Sequence, residues 1–260
     1  MRGPGGRLIL LLLLLGATVG LPADRARASA WSQPKGEGQV IVKLEATKAD
    51  RALDHHGQTY DLLDGRRDGV ASVLIEYGLT DRLTLQAKGD WQSGRDGMQR
   101  FEGRGPVEIG ARWRVYQDDR NVVAVYAGYA QSGETRNAGY AEPGQGERDI
   151  EYRLLAGRGT ERMFAEIQLA RRLRQGLPDE GRMDLTLGYH VTPEWTLMSQ
   201  LYMGRTDANL DGDRSQWVVN DFSVIRHFGD WSGQVAWRQT LAGSSTPVSR
   251  GPVLAVWRRF

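Results

Sequence analysis

The chain of 260 residues contains no cysteine, which excludes disulfide bonds and thiolate-ligated metal sites. It also lacks any run of about twenty apolar residues, the length that a membrane-spanning helix needs. Its longest apolar run, residues 8–19, is shorter than that and lies near the N-terminus. A helical membrane protein is therefore excluded, and the fold must hold together without covalent cross-links.

The first 30 residues have the pattern of a secretory signal peptide. Arg2 and Arg7 precede the apolar run, and the small residues at positions 28–30 provide a signal-peptidase site. We predict a signal peptide over residues 1–30 and one exported domain over residues 31–260. The leader carries four arginines and one aspartate, so its removal changes the formal net charge from +2 to −1. With that charge and no local run of Lys or Arg, no nucleic-acid partner is expected.

The rest of the chain is dominated by alternation. About twelve segments of roughly ten residues, spread over residues 37–260, alternate apolar and polar side chains. One of them places Val73, Ile75 and Tyr77 on one face and Glu76 on the other, because successive side chains of a strand point to opposite sides. The repeat predicts an all-β fold, a transmembrane antiparallel up-and-down β-barrel of about 12 strands. The pattern leaves open which face of strands 5, 10, 11 and 12 contacts lipid.

The links between the segments alternate in length. Links after strands 2, 4, 6, 8 and 10 are turns of about three to five residues, whereas links after odd-numbered strands run from about eight to twenty-two residues. Two long loops are predicted, over residues 47–68 and 133–147. Short periplasmic turns and longer extracellular loops are typical of outer-membrane barrels. We therefore predict a location in the outer membrane of a Gram-negative bacterium, with both termini in the periplasm.

Charged residues of both signs recur on the strand face that would line the lumen. Such an interior would hold water and pass a small solute, or it would be narrowed or plugged by ion pairs that cross it. The pattern does not decide between these outcomes. The predicted lumen-lining residues are Lys43, Glu45, Lys88, Asp90, Glu108, Arg112, Arg114, Glu151, Arg153, Glu166, Arg182, Asp184 and Arg238.

The four histidines, His55, His56, His190 and His227, do not indicate a catalytic site. A serine nucleophile needs a base within hydrogen-bond reach and a third group that orients the base. The segment that starts at His190 superficially resembles the His-x-Ser motif of lipid A deacylases, but it has Thr192 in place of serine and lies at the wrong end of the barrel. We predict no catalytic residues, although an outer-membrane lipid hydrolase stays open as an alternative.

One string, residues 207–212, has oxygen side chains at alternate positions and a glycine, as at the start of a calcium-binding loop. Position twelve of such a loop would be Val218 instead of a glutamate. The adjacent His55 and His56 would point apart on a strand and make a weak metal site. The sequence therefore predicts no metal site and no cofactor.

Three short stretches resemble known outer-membrane proteins. The terminal Phe260, with Val256 and Leu254 at alternate positions before it, resembles the C-terminal signal that the barrel assembly machinery recognises. Residues 76–85, with the sequence EYGLTDRLTL, resemble a hairpin of the outer-membrane transporters grouped with the meta-pathway of phenol degradation, and residues 31–38 are similar to the start of small members of that group. The resemblance implies an outer-membrane channel, with small aromatic or apolar compounds as one class of solute.

The favoured function is an outer-membrane channel or uptake protein for a small molecule, working without a cofactor. Its expected partners are outer-membrane lipid, the barrel assembly machinery and a small-molecule solute. Two other functions stay open at this point: a structural or surface-interaction barrel with a plugged lumen, and a lipid hydrolase. A secreted β-sandwich is a further alternative, since alternation alone does not distinguish lipid from a second sheet.

Overall fold

The computed structural model describes residues 30–136, 146–209 and 212–260, which form thirteen strands. No helix in these ranges is long and apolar enough to cross a membrane. The predicted signal peptide lies outside them except for Ala30, so that assignment stays a prediction. The strands are β1 (Gly38–Leu53), β2 (Thr59–Gly78), β3 (Leu83–Asp96), β4 (Gln99–Gln117), β5 (Asn121–Gln131), β6 (Arg148–Gly159), β7 (Met163–Arg174), β8 (Glu180–His190), β9 (Trp195–Thr206), β10 (Gln216–Phe228), β11 (Trp231–Ser244), β12 (Thr246–Pro247) and β13 (Arg250–Arg259).

The twelve long strands close into one barrel. Each pairs antiparallel with the next long strand, and β1 pairs with both β2 and β13, where Leu44 lies opposite Leu254. The two-residue β12 extends this seam by pairing Thr246 with Leu53. Closure satisfies the backbone hydrogen bonds of the wall, which a sheet must do to lie in lipid. The prediction of an all-β barrel with about twelve strands is confirmed.

Side-chain alternation gives the wall an apolar outer face and a polar inner face. On β1, Val42 and Leu44 point outward and are 43% and 52% exposed, whereas Glu45 points inward. The sequence left the facing of β5 open, and there Tyr126 is buried in the interior while Tyr129 is exposed outside. An exposed apolar outer face is what the hydrocarbon region of a bilayer requires.

The links at one end of the barrel are all short, at the positions that the sequence predicts. We call this end, which also carries Gly38 and Phe260, the turn end. In the second link, the Asp118 carboxylate accepts hydrogen bonds from the backbone N–H groups of Arg120 (2.8 Å) and Asn121 (2.7 Å). The five links are residues 79–82, 118–120, 160–162, 191–194 and 229–230.

The prediction of long loops at the other end, which we call the hairpin end, is wrong for four of the six links, which are residues 54–58, 97–98, 175–179 and 245–249, the last including β12. β1 continues to Leu53 and β2 begins at Thr59, so most of the predicted loop 47–68 is a hairpin. β3 and β4 also extend and are joined by residues 97–98 alone. These stretches are mostly polar and do not alternate apolar with polar residues, which resembles a loop in sequence. Beyond the lipid both faces of a strand meet water, so strand pairing continues without an apolar face.

The predicted loop 133–147 is described only in part, because residues 137–145 lie outside the described ranges. Its first residues turn back across the barrel wall. The N–H of Thr135 donates to the carbonyl of Arg104 (3.3 Å), and Arg136 donates to Asp96 (2.7 Å). The side chain of Arg136 is buried, so this segment narrows the lumen at the hairpin end.

The apolar core lies inside the barrel at the turn end. Trp31 contacts both of its clusters and joins them. Apolar packing therefore occupies part of this half of the lumen, beside buried charged residues such as Glu166. The buried members of the two clusters are Ala30, Val122, Ala124, Tyr126 and Leu155 in one, and Phe164, Met198 and Ile225 in the other.

Candidate functional site

A cavity of about 750 Å³ occupies the half of the lumen at the hairpin end. Its lining begins at the rim with Ser245 and Ser249 and reaches the charged residues in the middle of the barrel. Three aromatic residues, Phe101, Tyr202 and Trp217, also line it. A cavity of this volume with convergent polar groups can hold water and a small solute.

One side of the cavity is built on ion pairs that we call the β4–β8 cluster: Glu108, Glu151, Arg153, Arg172 and Arg182. Glu151 pairs with all three arginines. Glu108 pairs with Arg153 at 2.7 Å and with Arg172 at 2.9 Å. Register explains part of the contact, since Glu151 on β6 lies directly opposite Arg172 on β7. The cluster has three guanidinium groups and two carboxylates, and the carboxylate of Asp149 lies 3.6 Å from Arg172, so its charges are balanced.

The facing side carries a second network, the β10–β1 cluster of Asp221, Arg238, Glu45 and Lys43. Arg238 donates from Nε and Nη2 to the two carboxylate oxygens of Asp221, both at 2.7 Å, and from Nη1 to Glu45. Glu45 also pairs with Lys43. The guanidinium carbon of Arg238 lies 5.4 Å from the ring centre of Tyr202. A bidentate pair fixes the orientation of a guanidinium group, so Arg238 presents a fixed positive charge to the cavity.

The half of the lumen at the turn end holds residues 31–36, which we call the N-terminal segment, and Ala30, the last residue of the predicted signal peptide, directly before them. The backbone N–H of Ala30 donates to the carboxylate of Glu166. Arg112 donates from Nη2 to the carbonyl oxygen of Trp31 at 3.0 Å. Both wall residues are buried, so the segment is anchored deep inside the barrel by charged groups.

Further along the segment, Gln33 contacts the wall with its backbone and its side chain. Its N–H donates to the hydroxyl of Thr84 at 2.9 Å, and its side-chain amide donates to Glu76 at 3.0 Å. Glu76 also forms an ion pair with Arg112 at 2.8 Å. The same two charged residues therefore stabilise the wall and hold the segment.

The ring of Trp31 fills the centre of the lumen at the turn end. It packs against the clusters that contain Leu155 and Phe164. Gly157 makes room for it, because a Cβ atom at that position would lie 2.7 Å from the ring. With the ring in place, the N-terminal segment occupies this half of the lumen.

A chain of hydrogen bonds crosses four strands at the turn end. His190 Nδ1 lies 2.8 Å from the hydroxyl of Thr196, which lies 2.9 Å from His227 Nε2, and His227 Nδ1 lies 2.8 Å from the hydroxyl of Ser232. All four side chains are buried. The sequence shows no His–Ser pair, yet the barrel register forms one. The hydroxyl of Thr196 lies between the two histidine rings and contacts both.

The structure divides the thirteen predicted lumen residues into two sets, and their part in conducting a solute stays a prediction. One set contributes to the cavity, and the other lies outside its lining. Eight line the cavity: Lys43, Glu45, Lys88, Asp90, Glu108, Arg182, Asp184 and Arg238. The other five are Arg112, Arg114, Glu151, Arg153 and Glu166.

Several charged lumen residues were missed by the sequence analysis. The predicted alternation on the seventh strand ended at Leu169, whereas β7 continues to Arg174. Continuing the alternation of inward and outward side chains along β7 would have found Arg172 and Arg174, both of which line the cavity. Asp221 was missed because the faces of β10 were not assigned. The N-terminal segment has no periodic pattern and gave no signal.

No group of three or more His, Asp or Glu side chains within the described ranges is placed to hold a metal ion. Two residues of the calcium-like string, 210 and 211, lie outside those ranges.

No family model and no curated protein match the chain. Solved structures do match. An outer membrane channel from Pseudomonas putida F1 has a TM-score of 0.76 at 15% identity, covering 90% of this chain and 99% of that chain. The KdgM porin has a TM-score of 0.56 at 9% identity, with 85% and 99% covered. The NanC porin has a TM-score of 0.53 at 10% identity, with 82% and 97% covered. At these identities the likeness shows the fold, which is that of outer-membrane β-barrels.

Proposed function

We propose that the chain is an outer-membrane channel for a small solute, with the hairpin end outside the cell and the turn end in the periplasm. The observation that carries the proposal is the cavity of about 750 Å³, lined by charged and polar groups from the rim to the middle of a barrel with an apolar outer face. The channel and porins that share the fold support the same role.

Passage through the barrel requires the N-terminal segment to move. Trp31 and its apolar neighbours fill the lumen at the turn end, and the segment joins the wall at Gly38. Moving residues 31–36 breaks a few hydrogen bonds but leaves the strand ladder intact.

The order of surfaces along this path favours a particular kind of solute. A molecule entering from the hairpin end meets the charged cavity with Phe101, Tyr202 and Trp217, and then the apolar surface around Leu155 and Phe164. This order of surfaces suits a small molecule that has one polar group and an aromatic or apolar body. Small aromatic compounds, the class implied by the resemblance at residues 76–85, fit that description.

Single-channel recording in planar bilayers tests the proposal. The chain from residue 31 onward is compared with a variant that lacks residues 31–35 and with Trp31→Ala. We expect small or infrequent conductance steps from the unmodified chain and larger, longer steps from both variants. Trp237→Ala is the matched control, because this tryptophan lies on the outer face and is 49% exposed.

The filled turn end also favours a second candidate, a structural barrel whose function lies at its surface. If the deletion variant inserts into the bilayer but conducts no ions, no ion path continues from the charged cavity through the barrel. The structural barrel then replaces the channel as the proposed function. If the Trp237→Ala control gains conductance to the same extent as Trp31→Ala, the segment does not control the path.

A further inference from the structure

Five cationic side chains form a continuous row around the hairpin end, one on each of five neighbouring strands. They are direct cross-strand partners. Arg250 lies opposite Lys48, Lys48 opposite Arg67, Arg67 opposite Arg95, and Arg95 opposite Arg100. The row therefore runs from β13 through β1, β2 and β3 to β4. We call it the cationic row.

The cationic row is on the outside of the barrel. Lys48 belongs to the same alternating face of β1 as the exposed Leu44, and Arg250 to the same face of β13 as the exposed Leu254. Arg95 is four residues beyond Trp91, an exposed outward tryptophan, so the row is roughly 13 Å along the strand from that ring. The row therefore borders the apolar outer face at its hairpin-end margin.

The protein neutralises this row only weakly. Lys48 approaches Asp50 at 3.8 Å and Arg95 approaches Asp64 at 3.9 Å. The other three, Arg67, Arg100 and Arg250, have no ion pair and no side-chain hydrogen bond within the described residues, and all three are exposed. Like charges directly opposite one another destabilise a sheet, so a row of five cations with only two long ion pairs calls for an external anion.

An outward arginine elsewhere on the barrel shows the contrast. Arg171 on β7 is 44% exposed and pairs with Asp207 at 2.5 Å and with Asp179 at 3.2 Å. That arginine has its counter-charges within the protein. The cationic row has no comparable set of close carboxylates within the described residues, although Glu102 lies two residues from Arg100 on the same face of β4.

We propose that the cationic row binds the phosphate groups of a phosphorylated glycolipid in the outer leaflet of the membrane. A guanidinium group recognises phosphate with paired, charge-assisted hydrogen bonds, and a row beside apolar wall can contact the headgroup and the acyl chains of one molecule. The inference rests on the outer-membrane placement in the proposed function, but it does not depend on whether the barrel conducts.

The test compares the purified barrel in detergent with Arg67→Gln/Arg100→Gln/Arg250→Gln, which neutralises the three unpaired cations. Binding of diphosphoryl lipid A is measured by native mass spectrometry, with lipid A stripped of phosphate, phosphatidylglycerol and inorganic phosphate as comparison probes, all in the presence of a divalent-cation chelator. We expect about fivefold weaker binding of lipid A for each charge removed, which is roughly a hundredfold for the triple variant. Arg171→Gln, the matched control, should bind as the unmodified barrel does.

Thermal stability gives a second readout that a folding defect would not reproduce. Without glycolipid, the triple variant should unfold at the same temperature as the unmodified barrel or above it, because like-charge repulsion is relieved. With lipid A, only the unmodified barrel should gain stability. Equal binding by both proteins overturns the proposal, as does equal binding of lipid A and phosphatidylglycerol, which would show a general anionic surface. Loss of binding with unchanged channel activity leaves the proposed function standing.

Discussion

Arg112 and Glu76 form an ion pair across two strand boundaries, with 2.8 Å between Nη1 and Oε1, and their side chains are only 2% and 1% exposed. The same guanidinium group donates from Nη2 to the carbonyl oxygen of Trp31. A buried charge is stable only when it is paired, so removal of either partner leaves the other buried without its counter-charge. The stability of the wall and the closure of the lumen therefore depend on one ion pair.

Glu76→Gln should destabilise the barrel and loosen the N-terminal segment together. Loss of the carboxylate leaves Arg112 buried without its ion-pair partner, at a cost of about 3–5 kcal/mol in the free energy of unfolding. The heat-modifiable gel shift should occur at a lower temperature, and single-channel steps should become larger. Glu194→Gln, at an exposed turn, is the control and should change neither property. Equal effects of the two variants would contradict the role assigned to the pair.

Gly157→Ala should open the channel by displacing the Trp31 ring. A Cβ atom at this position would lie 2.7 Å from the ring and 3.0 Å from Val122, so the ring must move. We expect the conductance of Gly157→Ala to approach that of Trp31→Ala, and the double variant to add nothing further. At Gly181 a Cβ atom meets nothing within 4 Å, so Gly181→Ala is the matched control. Unchanged conductance in Gly157→Ala would show that the ring can shift without opening a path.

Arg238→Gln should change the charge selectivity of the open channel. The substitution removes the cation that neutralises Asp221 and Glu45, so the cavity wall becomes more negative. In the variant that lacks residues 31–35, the reversal potential in a salt gradient should move toward cation selectivity. Arg258→Gln removes an outward arginine that lies over the ring of Trp231, and this variant should leave the reversal potential unchanged. An identical reversal potential with and without Arg238 would place the ion path elsewhere.

The turn at Asp118 should keep its structure over a wide range of pH. The side-chain amide of Asn121 and the backbone N–H of Arg120 donate to its carboxylate, and these hydrogen bonds lower the pKa of Asp118 well below its ordinary value. A carboxyl group with a lowered pKa in the folded state stabilises it at high pH, and that contribution disappears only as the pH falls through the lowered value. Hydrogen exchange at the Asn121 N–H should therefore stay protected from pH 7 down to about pH 4, where a free aspartate is already about half protonated. Asp118→Ala should remove the protection across that whole range, and loss of protection in the unmodified chain at pH 5 would contradict the assignment.

The parts of the fold that the sequence predicted are those on which lipid imposes a pattern. Val73, Ile75 and Tyr77 face outward as the alternation indicates, because every second side chain in the wall must be apolar. The short turns were predictable for a related reason, since polar turn residues interrupt that pattern at regular intervals. Where strands leave the lipid, as in β1 beyond Thr47, outward side chains need not be apolar. The alternation therefore ends there, and the prediction of a loop in that region was wrong.

The interior was less predictable, because its contacts join residues far apart in sequence. Ala30 meets Glu166 across 136 positions, and Gln33 meets Glu76 across 43. The His190, Thr196 and His227 contacts likewise depend on the register of three strands. Such contacts follow from barrel closure, which alternation indicates only in outline.

Because the N-terminal segment is attached to the wall at Gly38, its return into the lumen is a reaction within one molecule. Residues 31–36 span at most about 22 Å when extended, so a displaced segment stays near the mouth at the turn end. Its effective concentration there is on the order of millimolar, as for ligands on short tethers. Closure is therefore a first-order event within one molecule. Its rate should not change with the amount of protein in the membrane, and free peptide should compete poorly for the vacated lumen.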